Sequence, residues 1–258
     1  MSHRLFEDPT RIAGVRRYEL GDPLNRIHWR ATARTGLLHS KVYEPSCVAG
    51  ATLLLDFHRD SLAASNADYR AELAVTTAAS LANAVFQMGE QVGLVTNGRD
   101  GAERARVEGY HQEFRTRAMA RSKAGSRDRS TRLEPVIVET RRGAAQLERI
   151  LEALARLEPT DGFNFAQLIA ESAGRLPRDA AVVAILTHVT DEAAQALGNL
   201  RRNGYAVTAV LVMFGETEYH DWAQPPEWAA RLLAEGVGFR RVDDEASLSR
   251  LCAERILR

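Results

Sequence analysis

The chain alternates between short apolar runs and longer stretches in which apolar residues recur with helical spacing. Six runs are typical of strands, and most of them are apolar throughout, as strands buried on both faces are: VAGATLLLDF, QVGLVTN, PVIVET, AAVVAILT, YAVTAVLVMF and VGFRRV. The amphipathic stretches predict helices over 69–88, 144–157, 165–175, 191–203 and 226–235, and from 245 onward. This alternation predicts an α/β fold of three layers with Rossmann-type topology: a doubly wound, mostly parallel sheet of about six strands with helices on both faces.

The N-terminal part of the chain stands outside this alternation. Its apolar spacing predicts a helix over 22–34, capped by Asp22, and a strand over 37–45. We therefore expect two parts. The first is an N-terminal motif segment at 1–46, packed on the main domain, and the second is the α/β domain at 47–258.

A basic insert at 102–132 breaks the alternation inside the main domain. It carries nine Arg and Lys residues against four Asp and Glu, and such a polar stretch predicts a mobile loop or a hairpin tip. Three of its cations are candidate partner-binding residues: Arg115, Arg117 and Arg121. Nucleic-acid binding through this insert is an open alternative, although only Tyr110 and Phe114 offer rings on which bases would stack.

Composition narrows the classes of partner and compartment. The 34 Arg and Lys residues balance 34 Asp and Glu residues, which argues against affinity of the whole surface for nucleic acid or anionic lipid. Cys47 and Cys252 stand far apart and indicate neither a disulfide framework nor a zinc site. No apolar run reaches the roughly 20 residues of a membrane span, and the N-terminus has no signal-peptide core. We expect a cytoplasmic chain with no nucleic-acid partner and no membrane insertion of its own.

Candidate chemistry is expected where the strand order reverses, beyond the carboxyl ends of the strands. If the first and fourth apolar runs are neighbours, their ends bring together DFHRD at 56–60 and THVTD at 187–191. The chain contains neither GxGxxG nor GxxxxGK[ST], so the usual nucleotide-binding motifs are missing. Hydroxyl side chains lie near these histidines: Ser61, Ser65, Thr187 and Thr190. Without a GxSxG elbow, a hydrolase is a weak hypothesis.

A family resemblance rests on the stretch RRYELGDPLNRIHWRATARTG at 16–36, followed by KVYE and LLLD. In these features the chain resembles the domain of unknown function 58 family of bacterial proteins, whose fold is similar to the von Willebrand factor A domain. The residues that carry the resemblance are Arg17, Tyr18, Gly21, Asp22, Arg26, Ile27, Trp29, Ala33 and Arg34. The resemblance implies a von Willebrand A-like domain preceded by this motif segment.

The resemblance also implies a position for a metal site. A standard von Willebrand A domain binds Mg²⁺ through an Asp-x-Ser-x-Ser sequence, a later Thr and an Asp after the fourth strand. The corresponding positions in this chain are Asp56, His58, Asp60, Phe163 and His188. Only Asp56 keeps the family's ligand, so we expect a degenerate metal-ion-dependent adhesion site and no cofactor. The alternative is a metal-dependent enzyme in which the two histidines and two aspartates converge on Zn²⁺ or Mn²⁺.

The arginine-rich motif has two interpretations. On one continuous helix, Arg26, Arg30 and Arg34 would form a guanidinium stripe that binds phosphates or acidic partners. The preferred interpretation is a seam, in which the arginines meet carboxylates while Trp29 wedges between the motif segment and the main domain. His28 is expected on the helix surface rather than as a base. We therefore predict that the motif is structural and not catalytic.

The function expected from these observations is a non-enzymatic protein-interaction or scaffold module. Family members resemble components that act beside MoxR-type AAA+ ATPases, and many are similar to membrane-anchored proteins with this domain on the cytoplasmic side. The resemblance therefore implies such an ATPase as partner, and a chain that is either a stand-alone member or a piece of a longer protein. The alternatives, a metal-dependent enzyme and a nucleic-acid binder, predict bound metal and salt-sensitive binding respectively.

Overall fold

The computed structural model describes residues 6–18, 27–46, 50–62, 66–108, 133–213 and 226–253. The chain divides into two compact units, at residues 1–48 and 49–257. The first unit contains the arginine-rich motif, and the second contains the large sheet.

The N-terminal unit is built on an antiparallel pair of strands, β1 (Phe6–Arg17) and β2 (His39–Ser46), with helix α1 (Trp29–Thr35) between them in the chain. Gly36 ends α1 in the left-handed conformation, with a φ of 72°. Its N–H donates a hydrogen bond to the carbonyl of Thr32 at 2.9 Å. Glycine suits this position because the left-handed conformation costs it no steric energy, and the turn directs the chain into β2.

The prediction of one helix over 22–34 is wrong, because α1 begins at Trp29. Ile27 instead forms an antiparallel β-bridge with Ser40 of β2. Pairing with β2 holds the residue in an extended conformation, and this tertiary contact overrides the local helical spacing of apolar residues.

The start of α1 also corrects the predicted roles of the polar residues around it. His28 is the N-cap, and its Nδ1 accepts a hydrogen bond at 3.0 Å from the backbone N–H three residues later. Asp22, the predicted cap, lies outside the described residues, as does Arg26. Because α1 begins after Arg26, the predicted stripe of Arg26, Arg30 and Arg34 on one helix does not form.

The second unit contains a six-stranded sheet, a short two-stranded pair and helices. Its strands are β3 (Gly50–Leu55), β4 (Gln91–Thr96), β5 (Arg99–Asp100), β6 (Val136–Arg141), β7 (Leu157–Glu158), β8 (Ala181–Leu186), β9 (Val207–Val212) and β10 (Gly238–Val242). Its described helices are α2 (Arg59–Leu62), α3 (Ala67–Gln87), α4 (Gly101–Glu108), α5 (Ala144–Ala155), α6 (Phe165–Ser172), α7 (Asp191–Arg202), α8 (Glu227–Ala234) and α9 (Glu245–Ala253). None of the described helices is both long enough and apolar enough to cross a membrane.

The large sheet has the strand order β10-β9-β8-β3-β4-β6. Every neighbouring pair is parallel except β4 and β6, which are antiparallel. The chain goes from β3 to β4 on one side and later returns to β8 on the other side, so the strand order reverses between β3 and β8. These six strands are the six apolar runs of the sequence, and the predicted doubly wound, mostly parallel sheet is confirmed.

The side chains of the central strands alternate between two apolar layers. Leu53 and Leu55 of β3 lie in a buried cluster with residues of α3, α5 and α9. Leu54 lies in a second buried cluster with residues of α6, α7 and α8. A strand with helices on both faces is apolar at nearly every position, which explains the near-continuous apolar run. The predicted three layers are therefore confirmed.

The predicted loop over 102–132 is wrong in its first part, because residues up to Glu108 form α4. Asp100 Oδ1 accepts hydrogen bonds from two backbone N–H groups of the first turn of α4, at 2.8 and 3.2 Å. Arg104 binds Glu158 of β7 through two hydrogen bonds of 2.5 and 2.9 Å. These contacts stabilise a helix that its polar composition does not indicate. The rest of the insert lies outside the described residues, including the candidate partner-binding cations Arg115, Arg117 and Arg121.

Candidate functional site

A buried carboxylate lies where the strand order reverses. Asp56 directly follows β3 and is 2% exposed. Its backbone N–H donates to the carbonyl of Ile185 in β8 at 3.0 Å, so the two strands are still hydrogen-bonded at this residue. The predicted proximity of the first and fourth strand ends is confirmed, and Asp56 occupies the region in which doubly wound sheets bind ligands.

Both carboxylate oxygens of Asp56 accept hydrogen bonds from the protein itself. Oδ1 accepts from Asn97 Nδ2 at 2.8 Å and from the backbone N–H of His58 at 3.2 Å. Oδ2 accepts from the hydroxyl of Ser61 at 2.6 Å. These donors replace hydration that the carboxylate loses on burial.

Asn97 ties the loop after β3 to two further loops. It follows β4, and its Oδ1 accepts a hydrogen bond from the backbone N–H of Phe57 at 2.7 Å. Its Nδ2 also donates to the carbonyl of Phe163, just before α6, at 3.0 Å. Asn97 was not among the predicted site residues, although its place at the carboxyl end of the second apolar run is a usable signal. We call Asp56, Ser61 and Asn97 the carboxylate clasp.

Burial raises the pKa of Asp56 above its ordinary value of 3.8, because the ionised form loses hydration. Hydrogen bonds from Ser61, Asn97 and the backbone of His58 act in the opposite direction, but burial has the larger effect. The folded protein therefore holds this proton more tightly than the unfolded chain does.

The raised pKa of Asp56 should make the protein less stable as pH rises from near 3.8 through the folded pKa. In that range the native state binds more protons than the unfolded state, so the free energy of unfolding falls. Glu158 changes the pH dependence of stability in the opposite direction, because its hydrogen bond from Arg104 lowers its pKa.

Urea denaturation should therefore compare wild type with Asp56→Asn across pH. The difference in unfolding free energy, wild type minus variant, is expected to fall and then level off. A difference independent of pH would contradict the raised pKa.

The residues that the family resemblance assigns to a metal site do not form one metal-binding group, although His58 Nδ1 lies 3.7 Å from Asp60 Oδ2. His58 Nδ1 accepts a hydrogen bond from the backbone N–H of Asp60 at 3.2 Å, and the Asp60 side chain is 93% exposed. Phe163 contributes a backbone carbonyl to the carboxylate clasp. His188 is exposed and lines a separate cavity beside β9. Only Asp56 has its carboxylate at the switch point, which is the place between β3 and β8 where the strand order reverses.

These residues do not fit the Mg²⁺ that the resemblance implies. Mg²⁺ requires hard oxygen ligands facing the ion in near-octahedral geometry, whereas both oxygens of the buried Asp56 accept hydrogen bonds from protein donors. Among the described residues, no group of three or more His, Cys, Asp and Glu side chains is arranged to hold a metal ion. The convergence of two imidazoles and two carboxylates, which the Zn²⁺ or Mn²⁺ hypothesis required, is therefore not formed.

The hydroxyl groups near the switch point form structural hydrogen bonds. Ser61 donates to Asp56, and Thr187 donates to the carbonyl of Ser61 at 2.8 Å. Thr190 caps α7 by accepting a backbone hydrogen bond at 3.1 Å. Ser65 lies outside the described residues. The hydrogen-bond partners of the three described hydroxyls are a carboxylate and backbone groups, not the imidazole that activates a serine hydrolase.

A cavity of about 280 Å³ lies at the same edge of the sheet, beyond β8 and β9. Its lining includes His188 together with Arg70, Trp228 and Arg231. The last three were not among the predicted site residues. Arg70 belongs to α3, and the other two belong to α8, so only tertiary packing brings them together.

The motif residues of the N-terminal unit are partly described. Arg17 ends β1, and the backbone N–H of Tyr18 donates a hydrogen bond to the carbonyl of Leu38, just before β2, at 3.0 Å. Arg34 lies in the last turn of α1, where a cation is favourable, and Trp29 begins α1 with 68% of its surface exposed. The remaining motif positions lie outside the described residues: Gly21, Asp22 and Arg26. The seam hypothesis depends on how the two units meet, and it stays a prediction.

The sheet and its two helical layers define the class of protein: a three-layer, doubly wound α/β domain, here preceded by a small strand-and-helix unit. Residues 14–134 match the model of the family described as Protein of unknown function DUF58. The resemblance inferred from the arginine-rich motif is thereby confirmed. No curated protein matches the chain.

Solved structures of two proteins align over 80% of the chain. The pilus adhesin SpaC from Lactobacillus rhamnosus GG aligns in its open conformation with a TM-score of 0.49 and 10% identity, over 29% of the adhesin chain. A second form of SpaC aligns with a TM-score of 0.47 and 10% identity, over 30% of its chain. Proximal thread matrix protein 1 from the mussel byssus aligns with a TM-score of 0.43 and 12% identity, over 45% of its chain. The protein thus covers less than half of each of these chains.

Proposed function

We propose that the larger unit is a protein-interaction module that acts without enzymatic chemistry. In this proposal it is a von Willebrand A-like domain with a degenerate metal-ion-dependent adhesion site. The strand order, with antiparallel β6 at one edge, is compatible with that fold. The family resemblance supplies the partner, a MoxR-type AAA+ ATPase.

The carboxylate clasp is the observation that carries this proposal. Asp56 is buried and already accepts hydrogen bonds at both oxygens, so its role is to hold three loops in place. The segment after β3 that is so fixed presents the exposed side chain of Asp60, and the neighbouring loop after β8 presents His188, at the carboxyl edge of the sheet. Loops held by a rigid scaffold are suited to recognition, because little conformational freedom is lost on binding.

The proposal is tested by immobilising the protein and measuring capture of a MoxR-type ATPase from the same organism. Nucleotide-free, ADP and ATP conditions should be compared, and in the nucleotide-free condition the measurement should be repeated after chelation of divalent ions. We expect stable capture in at least one condition, and capture without nucleotide should survive chelation. Absence of capture in every condition would disprove the ATPase as partner. Loss of capture on chelation would show that the adhesion site still uses a metal.

A charge reversal at the carboxyl edge identifies the face that binds. Asp60→Lys is expected to weaken ATPase capture about fivefold or more, since reversing an exposed charge at an interface costs on the order of 1 kcal/mol. The matched control is Asp179→Lys, an exposed carboxylate just before β8 at the opposite edge of the sheet. Equal affinities of the two variants would place the interface elsewhere.

A further inference from the structure

Helix α1 and the loop after it form one connected piece of the N-terminal unit. The loop folds back on the helix through two hydrogen bonds. The backbone N–H of His39 donates to the Thr32 hydroxyl at 3.1 Å, and that of Leu37 donates to the Thr35 hydroxyl at 3.4 Å. No residue of α1 is buried. We call α1 and residues 36–38 the α1 surface.

The α1 surface exposes large apolar side chains. Trp29 is 68% exposed, Leu37 is 49% exposed and Leu38 is 46% exposed. Leucine and tryptophan are usually buried for most of their surface, and an exposed apolar patch commonly marks a binding surface. Contact with a partner that covers these side chains would therefore be favourable.

The α1 surface also carries uncompensated positive charge. Among the described side chains of this unit, at 14–18 and 27–41, there is no Asp or Glu. The same stretches contain several cations: Arg16, Arg17, Arg30, Arg34 and Lys41. Within the part of the chain that the structure describes, the exposed Arg30 and Arg34 form no ion pair and no side-chain hydrogen bond. Their guanidinium groups are therefore available to an anion.

The positions of these two arginines do little to stabilise α1. They lie four residues apart on one short helix, where like charges repel each other. Arg30 is in the first turn, at the positive end of the helix dipole, and that turn contains no acidic residue. Only Arg34, in the last turn, is favourably placed relative to the dipole. Carboxylates bound beside both side chains would relieve the repulsion, so the arrangement suits an anionic partner.

Trp29 lies beside the arginines on the helix. With 3.6 residues per turn, four side chains occupy about 140° of the helix circumference, and all four are exposed: Trp29, Ala33, Arg30 and Arg34. This sector mixes an aromatic ring with guanidinium groups. Residues that contribute most to binding at protein interfaces are enriched in Trp and Arg.

The same mixture argues against two other kinds of partner. A helix that lies on a membrane separates its apolar face from its charged face, whereas Trp29 and Arg30 share one sector of α1. A single-stranded nucleic acid could stack a base on Trp29 and place phosphates on the arginines. It would leave Leu37 and Leu38 without apolar contacts, because its backbone is charged. A protein segment can supply both carboxylates and apolar side chains.

We propose that the α1 surface binds an acidic segment of another protein. Carboxylates of the segment bind Arg30 and Arg34, since a planar guanidinium can hold a carboxylate through two hydrogen bonds. An apolar side chain of the segment packs on Trp29. This inference concerns the N-terminal unit, so it stands whether or not an ATPase binds the larger unit.

A pair of short peptides tests the requirement for carboxylates. The acidic probe is acetyl-Glu-Glu-Leu-Phe-Glu-Glu-amide, and its neutral counterpart has Gln in place of every Glu. Fluorescence anisotropy of the labelled peptides with the full chain at low salt should give a dissociation constant on the order of 100 μM for the acidic probe. The neutral peptide should bind at least about tenfold more weakly. Equal binding of the two peptides, or no binding of the acidic peptide at about 1 mM protein, would overturn the proposal.

Substitution of both arginines locates the binding site. Arg30→Gln combined with Arg34→Gln is expected to weaken binding of the acidic peptide about tenfold or more. The matched control is Arg149→Gln, which removes an exposed helical arginine of α5 in the larger unit. Equal affinities of the folded double variant and the control would overturn the proposal. If the double variant does not fold, the comparison of the two peptides on wild type decides the question.

Trp29→Ala separates a binding role from the predicted seam. The variant should bind the acidic peptide about tenfold more weakly. Its melting temperature should stay within about 2 °C of wild type, because the ring is mostly exposed. A lower melting temperature with unchanged peptide affinity would assign Trp29 to the seam and overturn the proposal.

Two further probes identify the other classes of partner. Single-stranded oligothymidine and phosphatidylglycerol vesicles are compared with the acidic peptide under the same conditions. We expect both to bind more weakly than the peptide. Tighter binding of either probe, lost in the double arginine variant, would overturn the proposal and assign the α1 surface to nucleic acid or to an anionic membrane.

Discussion

Replacing Asp56 with alanine is expected to lower the free energy of unfolding by about 2–3 kcal/mol at neutral pH. The change removes the acceptor for the Asn97 amide, the Ser61 hydroxyl and a backbone N–H. Buried donors left without acceptors account for most of the loss, and the vacated volume adds to it. Urea denaturation at several pH values measures the effect, with circular dichroism to verify that the variant is folded.

Asp56→Asn is the control that separates hydrogen bonding from charge. Its carbonyl oxygen can accept the bonds that Oδ1 accepts, and the Ser61 hydroxyl can rotate to accept from its amide. It should therefore stay within about 1 kcal/mol of wild type, since it also avoids the burial of a charge. If Asp56→Ala is as stable as wild type, the clasp does not hold the loops. If only Asp56→Asn is strongly destabilised, the carboxylate has a role that this geometry does not explain.

Gly93→Ala is expected to destabilise the protein by about 3 kcal/mol or more, the upper range for overpacking a buried site. The Thr140 hydroxyl of β6 reaches across β4 and hydrogen-bonds with the Thr52 hydroxyl of β3 at 2.6 Å. It passes over Gly93, where an added Cβ would lie 2.3 Å from Thr140 Oγ1 and 2.8 Å from the Thr140 backbone nitrogen. Because backbone atoms block the position, relief requires β6 to move.

The local pairing explains why β6 comes so close at Gly93. The register of β4 and β6 shifts between Val92 and Leu94, so β6 carries one extra residue there. Gln146 of α5 donates to the carbonyls of Val92 and Glu139 at 3.0 and 2.5 Å, which satisfies backbone groups at the irregularity. The added methyl group would disturb this arrangement as well as the hydroxyl pair.

Gly238→Ala provides the matched control for Gly93→Ala. Gly238 also lies in a strand of the sheet, but an added Cβ there meets no atom within 4 Å. Its unfolding free energy should stay within about 0.5 kcal/mol of wild type or rise slightly. Equal thermal and urea stability of Gly93→Ala and Gly238→Ala would contradict the close approach of β6.

The layers of the fold were predictable because they depend on local pattern. A strand covered by helices on both faces is apolar along most of its length, as GATLLL in β3 is apart from Thr52, and the six strand-like runs form the sheet. The arginine-rich motif likewise identified the family that residues 14–134 match. Asp56 was predictable as a residue of the switch point, because it directly follows the first apolar run.

Where local pattern and long-range contacts disagree, the long-range contacts determine the secondary structure. Pairing of Ile27 with Ser40 delays the start of α1, and Asp100 and Glu158 anchor a helix in a stretch whose composition indicates a loop.

Local pattern also does not predict which residues come together in the candidate sites. Asn97 lies 41 residues after Asp56 in the chain, yet it donates to the carboxylate at 2.8 Å. Arg70 and Arg231 line one cavity from helices α3 and α8. Hydrophobic periodicity determines which elements form and which of their faces are buried. It contains no information on which polar side chains meet at the ends of those elements, because their proximity depends on the order of the strands and the packing of the helices.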